Sequence, residues 1–180
     1  MILETKRLRL RPLSVGDSER IEELAGDYDV AKTTSTIPHP YPKGSAKDFI
    51  LHVLEAANKG KLVIFAITLR GTHEIVGLIN IHVNQANNRG ELGYWIGKPF
   101  WGTGYGTEAA NAVLAIGFKK FKLNKIYAQA FTSNRGSWRI MEKIGLTYEG
   151  TLKQHIYRFG EYFDLAVYGM LREDYVGITK

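Results

Sequence analysis

The sequence predicts a single α/β domain, and three observations carry that expectation. The chain has 180 residues, 44% of them hydrophobic and 23% charged, which suits one substantial core in an ordinary globular protein. Runs of strand pattern alternate with runs whose apolar residues recur at helical spacing. Between one such strand and one such helix lies Gly93-Tyr94-Trp95-Ile96-Gly97-Lys98-Pro99-Phe100-Trp101-Gly102-Thr103-Gly104-Tyr105-Gly106-Thr107-Glu108-Ala109. It reads as strand, glycine-rich turn and helix start. No repeat, low-complexity tract or linker divides residues 1–180.

Residues 7–13 alternate as a strand with one wet face. Ser14-Val15-Gly16-Asp17 offers a turn and an N-cap, and Ile21, Leu24 and Ala25 give residues 18–25 a helical stripe. Residues 27–43, with Pro38, Pro40 and Pro42, read as an irregular loop. A second helix spans 45–58 with Phe49, Ile50, Val53, Leu54 and Ala57 on one side, and Gly60 ends it. Residues 62–69 are apolar on both faces, as in a covered central strand. Strands at 75–83 and 91–97 follow, joined by a polar hairpin connection. After the glycine turn, Ala110, Val113, Leu114, Gly117, Phe118 and Phe121 mark a core-facing helix. A strand at 125–131 and a helix at 134–144 closed by Gly145 come next, and strands near 146–159 and 162–171 end the chain.

The formal charge of 24 − 18 = +6 favours an anionic partner, a nucleotide cofactor or nucleic acid. The two densest basic groups sit on a strand's wet face and at a helix end, where ordinary structural rules place them. The absence of cysteine excludes disulfides, a thiolate metal site and a Cys-acyl route. The five histidines show no ligand spacing, so no metal is expected. Residues 1–7 lack the apolar core of a signal peptide, and no apolar run reaches the roughly 20 residues of a membrane span. A cytoplasmic protein is the expectation.

Glycines 102, 104 and 106 strip side chains from a run of backbone that leads into a helix N-terminus, a suitable cradle for phosphate. A P-loop is excluded because Gly106-Thr107 lacks the lysine. A dinucleotide fingerprint fits poorly, because the spacing is G-x-G-x-G and the next strand ends Gln129-Ala130-Phe131-Thr132 without a carboxylate. A tight turn without a ligand stays open on these residues alone.

Trp101-Gly102-Thr103-Gly104-Tyr105-Gly106 resembles the acyl-CoA signature of the GNAT superfamily of N-acetyltransferases, Gln/Arg-x-x-Gly-x-Gly/Ala. The resemblance extends to the branch that acetylates ribosomal-protein N-termini on alanine or serine. It is carried by Thr5-Lys6-Arg7-Leu8-Arg9-Leu10-Arg11-Pro12-Leu13, Glu91-Leu92-Gly93-Tyr94-Trp95-Ile96, Asn134-Arg135-Gly136-Ser137, Glu142-Lys143-Ile144-Gly145-Leu146 and Gly160-Glu161-Tyr162-Phe163-Asp164-Leu165. Trp101 departs from the signature's Gln or Arg, which removes one polar side chain from the expected contacts. The implied fold is a mixed, mostly antiparallel sheet of about seven strands flanked by about four helices.

The resemblance implies that acetyl-CoA is the cosubstrate. Its pyrophosphate would lie on the amides of Gly102, Thr103, Gly104, Tyr105, Gly106 and Thr107, and its pantetheine arm beside Tyr94, Trp95 and Ile96. Gly93 or Gly97 would allow a bulge that splays two strands. Asn134 would hydrogen-bond the pantetheine, Glu91 would act as base and Ser137 would donate to the leaving sulfur. Each also has a plain structural reading: a solvated strand-end carboxylate, a first-turn helix residue and, for Asn134, an N-cap. His82, Arg135 and Arg139 rank lower.

The expected activity is direct attack of a primary amine on the thioester, with a protein N-terminal amine as first choice. A small amine such as a polyamine, amino acid or antibiotic is the alternative. A basic nucleic-acid-binding module is the reading from another class, although no recognition helix or stacking motif emerges. A catalytically silent acetyl-CoA sensor is a third. The acceptor should meet residues 27–43 and the hairpin about 159–162. No membrane partner is expected, and homodimer formation is left open.

Overall fold

The computed structural model describes residues 1–178, with side chains up to residue 175. Among them are eight strands: β1 (Leu3–Glu4), β2 (Leu8–Arg11), β3 (Leu62–Leu69), β4 (Ile75–Asn84), β5 (Arg89–Ile96), β6 (Lys125–Phe131), β7 (Thr147–Arg158) and β8 (Glu161–Leu171). The helices are α1 (Ser18–Ala25), α2 (Tyr28–Ala31), α3 (Ser45–Asn58), α4 (Tyr105–Lys119), α5 (Arg135–Lys143) and α6 (Arg172–Ile178). One sheet runs in the order β1-β2-β3-β4-β5-β6-β8-β7. Every neighbouring pair is antiparallel except β5–β6, which α4 connects by a crossover.

The doubly apolar β3 is central because both its faces are covered. Phe65 and Ile67 join one cluster with Val113, Leu114 and Phe118 of α4. Leu62, Ile64 and Ala66 join another with Ile21 and Leu24 of α1 and Ala46, Ile50 and Val53 of α3. Each of the larger side chains, fully buried, contributes about 1.5–3 kcal/mol. The sheet is therefore sandwiched between a pair of helices on one face and the long crossover helix with α5 on the other.

Four sequence expectations change. The sheet gains a strand because Leu3 and Glu4 pair with Leu10 and Arg9, too short a run for periodicity to reveal. The helix count rises to six among the described residues, through α2 and α6. Helix α2 falls inside the expected loop, where Asp27 caps it by accepting from Asp29 N–H at 2.8 Å. The first long strand stops at Arg11, since Pro12 brings no N–H. Asp17 does not cap α1 with its side chain. Instead it turns inward to a two-pronged contact with Arg11, at 2.7 and 2.9 Å.

Candidate active site

Pairing decides where the sheet opens. The parallel pair β5–β6 holds only over Arg89↔Lys125, Gly90↔Ile126 and Glu91↔Tyr127. Beyond that point β5 stays on β4 as far as Ile96, while β6 follows β8 as far as Phe131. A wedge-shaped gap results, flanked by Leu92–Ile96 and Ala128–Phe131. Gly97 N–H donates to Val76 O on β4 at 2.8 Å, so alternation turns the N–H and C=O of Ile96 and Tyr94 toward the gap. Trp101 Nε1 donates to Ile96 O at 2.6 Å and takes one of these groups. The β4–β5 register is unbroken from Gly77↔Ile96 to Asn84↔Arg89, so no bulge at Gly93 or Gly97 splays the strands. A Cβ on Gly97 would come within 2.8 Å of Leu24 Cδ2, so this glycine admits α1 to the sheet.

The glycine turn lies at the open end of the gap. Gly102 and Gly104 adopt φ of +75° and +83°, left-handed values that cost an L-residue about 1–2 kcal/mol. The first bond within α4 is from Glu108 N–H to Gly104 O, so Gly106 and Thr107 present N–H donors at the helix's positive end. Tyr105 N–H lies 3.4 Å from Thr103 Oγ1, and Thr103 itself donates to Phe100 O at 2.6 Å. Gly106 differs from its two neighbours, because a Cβ there would meet Ile140 Cδ1 at 2.8 Å. Its bareness lets α5 approach the start of α4.

Arg7 braces this turn from outside. Its Nη1 donates to Thr103 O at 2.9 Å, its Nε to Glu108 Oε2 at 2.7 Å, and its guanidinium lies 4.7 Å from the Tyr105 ring centre. Glu108 also accepts from Thr5 Oγ1 and Arg7 N–H. Burial raises the Glu108 carboxyl's pKa, but the hydrogen bonds from Thr5 and Arg7 outweigh it and hold the group below its usual value. A guanidinium thus stands at the cradle although Trp101 supplies none.

At the closed end, Tyr127 O–H donates to Glu91 Oε2 at 3.0 Å. Glu91 shares a cavity of about 520 Å³ with His82, its register partner on β4, and with Lys61, Arg89 and Tyr127. Burial, and then the nearby Glu91 charge, push the Tyr127 phenol above its usual pKa, which keeps it a donor. Across the gap, Ser137 Oγ donates to Tyr94 Oη at 3.1 Å and Tyr94 O–H donates to Ser137 O at 2.9 Å. Burial pushes the Tyr94 phenol up despite Ser137. Asn134 uses both ends of its amide: Oδ1 accepts from Ser137 N–H at 3.2 Å as an N-cap, and Nδ2 donates to Thr33 O.

The model of the acetyltransferase (GNAT) domain matches residues 7–147. The chain belongs to this family. It is 31% identical to the N-acetyltransferase YnaD of Bacillus subtilis over 177 residues, covering 97% of this chain and 99% of the relative. A solved GNAT acetyltransferase from Bacillus anthracis superposes with a TM-score of 0.86 at 31% identity, covering 96% of this chain and 99% of the other. RimL, a ribosomal L7/L12 α-N-protein acetyltransferase solved with coenzyme A, shares the fold with a TM-score of 0.88 at 16% identity over 95% and 98% of the two chains. GNAT acetyltransferases use acetyl-CoA, and the cradle fits it: bare left-handed positions, free helix amides and a bordering guanidinium.

Within this GNAT domain, residues 27–43 and the β7–β8 hairpin, the two segments expected to define the acceptor, touch each other. The Tyr28 ring packs 5.0 Å from His39 and 5.8 Å from Phe159, and Arg158 donates to Ile37 O at 2.6 Å. Tyr28, Lys32, Thr33, Phe131, Phe159 and Phe163 wall a cavity of about 370 Å³ that reaches Asn134. Arg135 and Arg139 are exposed on α5. Among the described residues no cluster of His, Cys, Asp or Glu has metal-binding geometry, and no helix is long and apolar enough to cross a membrane. Sequence reasoning missed Arg7, Glu108 and Tyr127 as parts of the site. The only signal was an acid in the first turn after the glycines, since Arg7 reaches it from about a hundred residues away.

Proposed function

We propose that this N-acetyltransferase acts on the N-terminal amine of a protein or peptide. The observation that carries the reading is the shape and chemistry of the 370 Å³ cavity. Tyr28 and Phe159, which flank it, are 48% and 44% exposed, so it is a trough open at the side. An extended chain end can enter such a trough and continue outward. Its fixed charges are Lys32, already paired with Asp29, and Glu161, so aromatic contact dominates.

The chemistry suits an N-terminus. Such an amine has a pKa of about 7.7–8.0, so much of it is neutral near physiological pH, whereas a lysine-like amine at about 10.4 is almost wholly charged. The amine nitrogen attacks the thioester carbon, and gap-facing N–H groups such as that of Tyr94 stabilise the oxyanion. Glu91 takes the proton directly or through water, the C–S bond breaks, and the thiolate leaves beside Ser137, whose hydroxyl donates to it. Pantetheine lies along Tyr94–Ile96, the pyrophosphate on residues 102–107, and Asn134 at the pantetheine amides. The proposed reaction belongs in the cytoplasm, where acetyl-CoA is available.

The test is an acceptor screen scored by CoA release, with N-terminal peptides beside polyamines, amino acids and aminoglycosides. Turnover of peptides above all small amines is the expected result. Turnover confined to a small amine overturns the N-terminal assignment, and no thiol release with any amine overturns catalysis in favour of an acetyl-CoA sensor.

A further inference from the structure

Asn80 is a polar residue in the middle of β4, and acetyl transfer as described above leaves it idle. Ile79 and Ile81 point into the cluster under α4, so alternation turns Asn80 to the opposite face, with Leu78 before it and His82 after it. In register, Asn80 stands opposite Gly93 and His82 opposite Glu91. A Cβ on Gly93 would lie 3.0 Å from Asn80 Oδ1 and 3.3 Å from Nδ2, so the carboxamide lies across the bare backbone of β5. Gly93 is the first residue on Glu91's face beyond the point where β5 parts from β6. The amide therefore stands at the apex of the gap, next to the base.

Its oxygen is also unspent. Asn80 Oδ1 is buried and accepts no hydrogen bond among the described residues. A leucine of similar size would fill the position without leaving a buried acceptor unpaired, so the asparagine is retained at a cost to the fold. Buried polar atoms are otherwise satisfied almost throughout protein interiors. The unpaired oxygen lies against Gly93, two residues from Glu91 on the same strand face, where an incoming substrate could supply its partner.

We infer that Asn80 Oδ1 accepts an N–H of the acceptor amine and selects primary amines. This rests on the acetyl-transfer reading and deepens it. A neutral primary amine aims its lone pair at the thioester carbon and keeps two N–H groups. One passes its proton toward Glu91, and the other needs an acceptor that does not compete for the proton. A carboxamide oxygen meets that need, because it accepts strongly and does not titrate in this range. A secondary amine has a single N–H, so it leaves either Asn80 or Glu91 without a partner. Loss of a buried partner is the kind of difference by which hydrogen-bonding sites reject analogues.

The experiment uses the full chain, acetyl-CoA, an alanine-initiated hexapeptide, the same peptide beginning with N-methylalanine, and spermidine. Asn80→Leu removes the acceptor and Asn80→Asp keeps one. For Asn80→Leu we expect kcat/KM with the primary amine to fall roughly 10–100-fold, the value of one hydrogen bond to a polar or charged group. Its preference for primary over N-methyl peptide should collapse, its acetyl-CoA affinity by calorimetry should hold, and its Tm should stay level or rise. Asn80→Asp should recover part of the rate. Unchanged kcat/KM and unchanged discrimination in Asn80→Leu, with the wild type active, overturn the inference alone. A lowered Tm with lost acetyl-CoA binding overturns it too, by showing a structural amide. Failure of the wild type to release thiol with any of the three amines overturns the catalytic reading beneath it.

Discussion

Gly104 and Gly106 stand two residues apart in the same signature, yet the structure gives them different work, and alanine substitutions separate the two. At Gly106 a Cβ meets Ile140 Cδ1 at 2.8 Å, with Ile96 Cγ1 at an ordinary 3.5 Å. Forcing a methyl into so tight a contact costs about 1–3 kcal/mol. Replacing glycine in a helix returns about 0.5–1 kcal/mol, so Gly106→Ala should destabilise by up to about 2 kcal/mol. Ile140→Val deletes the clashing atom and alone costs about 0.5–1.5 kcal/mol. In the double variant the new methyl occupies the space that the lost one vacated. Urea denaturation of the four proteins should therefore give a coupling of at least about 0.5 kcal/mol, with the double variant more stable than the sum. Acetyl-CoA affinity of Gly106→Ala should stay within about threefold, under 1 kcal/mol, which agrees with the alanine the signature permits at this position. Additive stabilities would refute the packing argument. Lost acetyl-CoA binding at unchanged stability would mean that the bare Cα of Gly106, and not only its amide, faces the phosphates.

Gly104→Glu should abolish acetyl-CoA binding, because it puts bulk and negative charge at a left-handed position beside the expected phosphates; undiminished affinity by calorimetry would dismiss the cradle. Ser137→Ala should lower kcat more than it weakens acetyl-CoA, and equal kcat would remove Ser137 from the chemistry. For Glu91→Gln the pH–rate profile should shift, and an identical profile would leave Glu91 structural. Asp17 offers a stability test. Burial raises its carboxyl's pKa, but hydrogen bonds from Arg11 and Ser14 win and hold it below its usual value. A depressed folded value means its contribution is complete above the unfolded value of about 3.9 and is lost as pH falls through the folded one. Asp17→Asn should therefore cost roughly 1–3 kcal/mol near neutrality. Its urea midpoint should converge with the wild type's below about pH 4, and parallel curves would refute the assignment.

The glycine turn and the long elements were legible because they are local. Their residues fix backbone conformation or a buried stripe within a few positions, as Gly104 and the Val113–Leu114–Phe118 stripe do. Elements of two to four residues, β1 and α2, escaped because a period needs more residues than they have. The site's remaining parts are long-range. Where β5 parts from β6 depends on β8 drawing β6 away, which no local pattern encodes. Arg7 reads as a strand's wet face in sequence and becomes a brace only when β2 packs near α4. Local sequence suggests a bulge at Gly93; its reason lies across the sheet, where a Cβ would come within 3.0 Å of Asn80 Oδ1.

The polar contacts across the gap bear on how Ser137 can act. Its hydroxyl has one hydrogen, and in this structure that hydrogen is given to Tyr94 Oη. To donate to a leaving thiolate, Ser137 must turn away from Tyr94, about a χ1 bond with staggered alternatives. Tyr94 loses little when it does, because its own O–H remains on Ser137 O, anchored to the first turn of α5. Burial keeps that phenol protonated, so no charge appears at the wall when the serine leaves. Tyr94 thus holds α5 to β5 through a backbone bond that survives the step, while the serine hydroxyl is the interchangeable part. A hydroxyl held this way is a hydrogen-bond donor to sulfur rather than a source of a full proton, because serine is so weak an acid. Under the proposed reaction, thiolate protonation would fall to solvent once CoA departs, and Ser137 would contribute the stabilisation that one hydrogen bond to an anion supplies, about 1.5–3 kcal/mol.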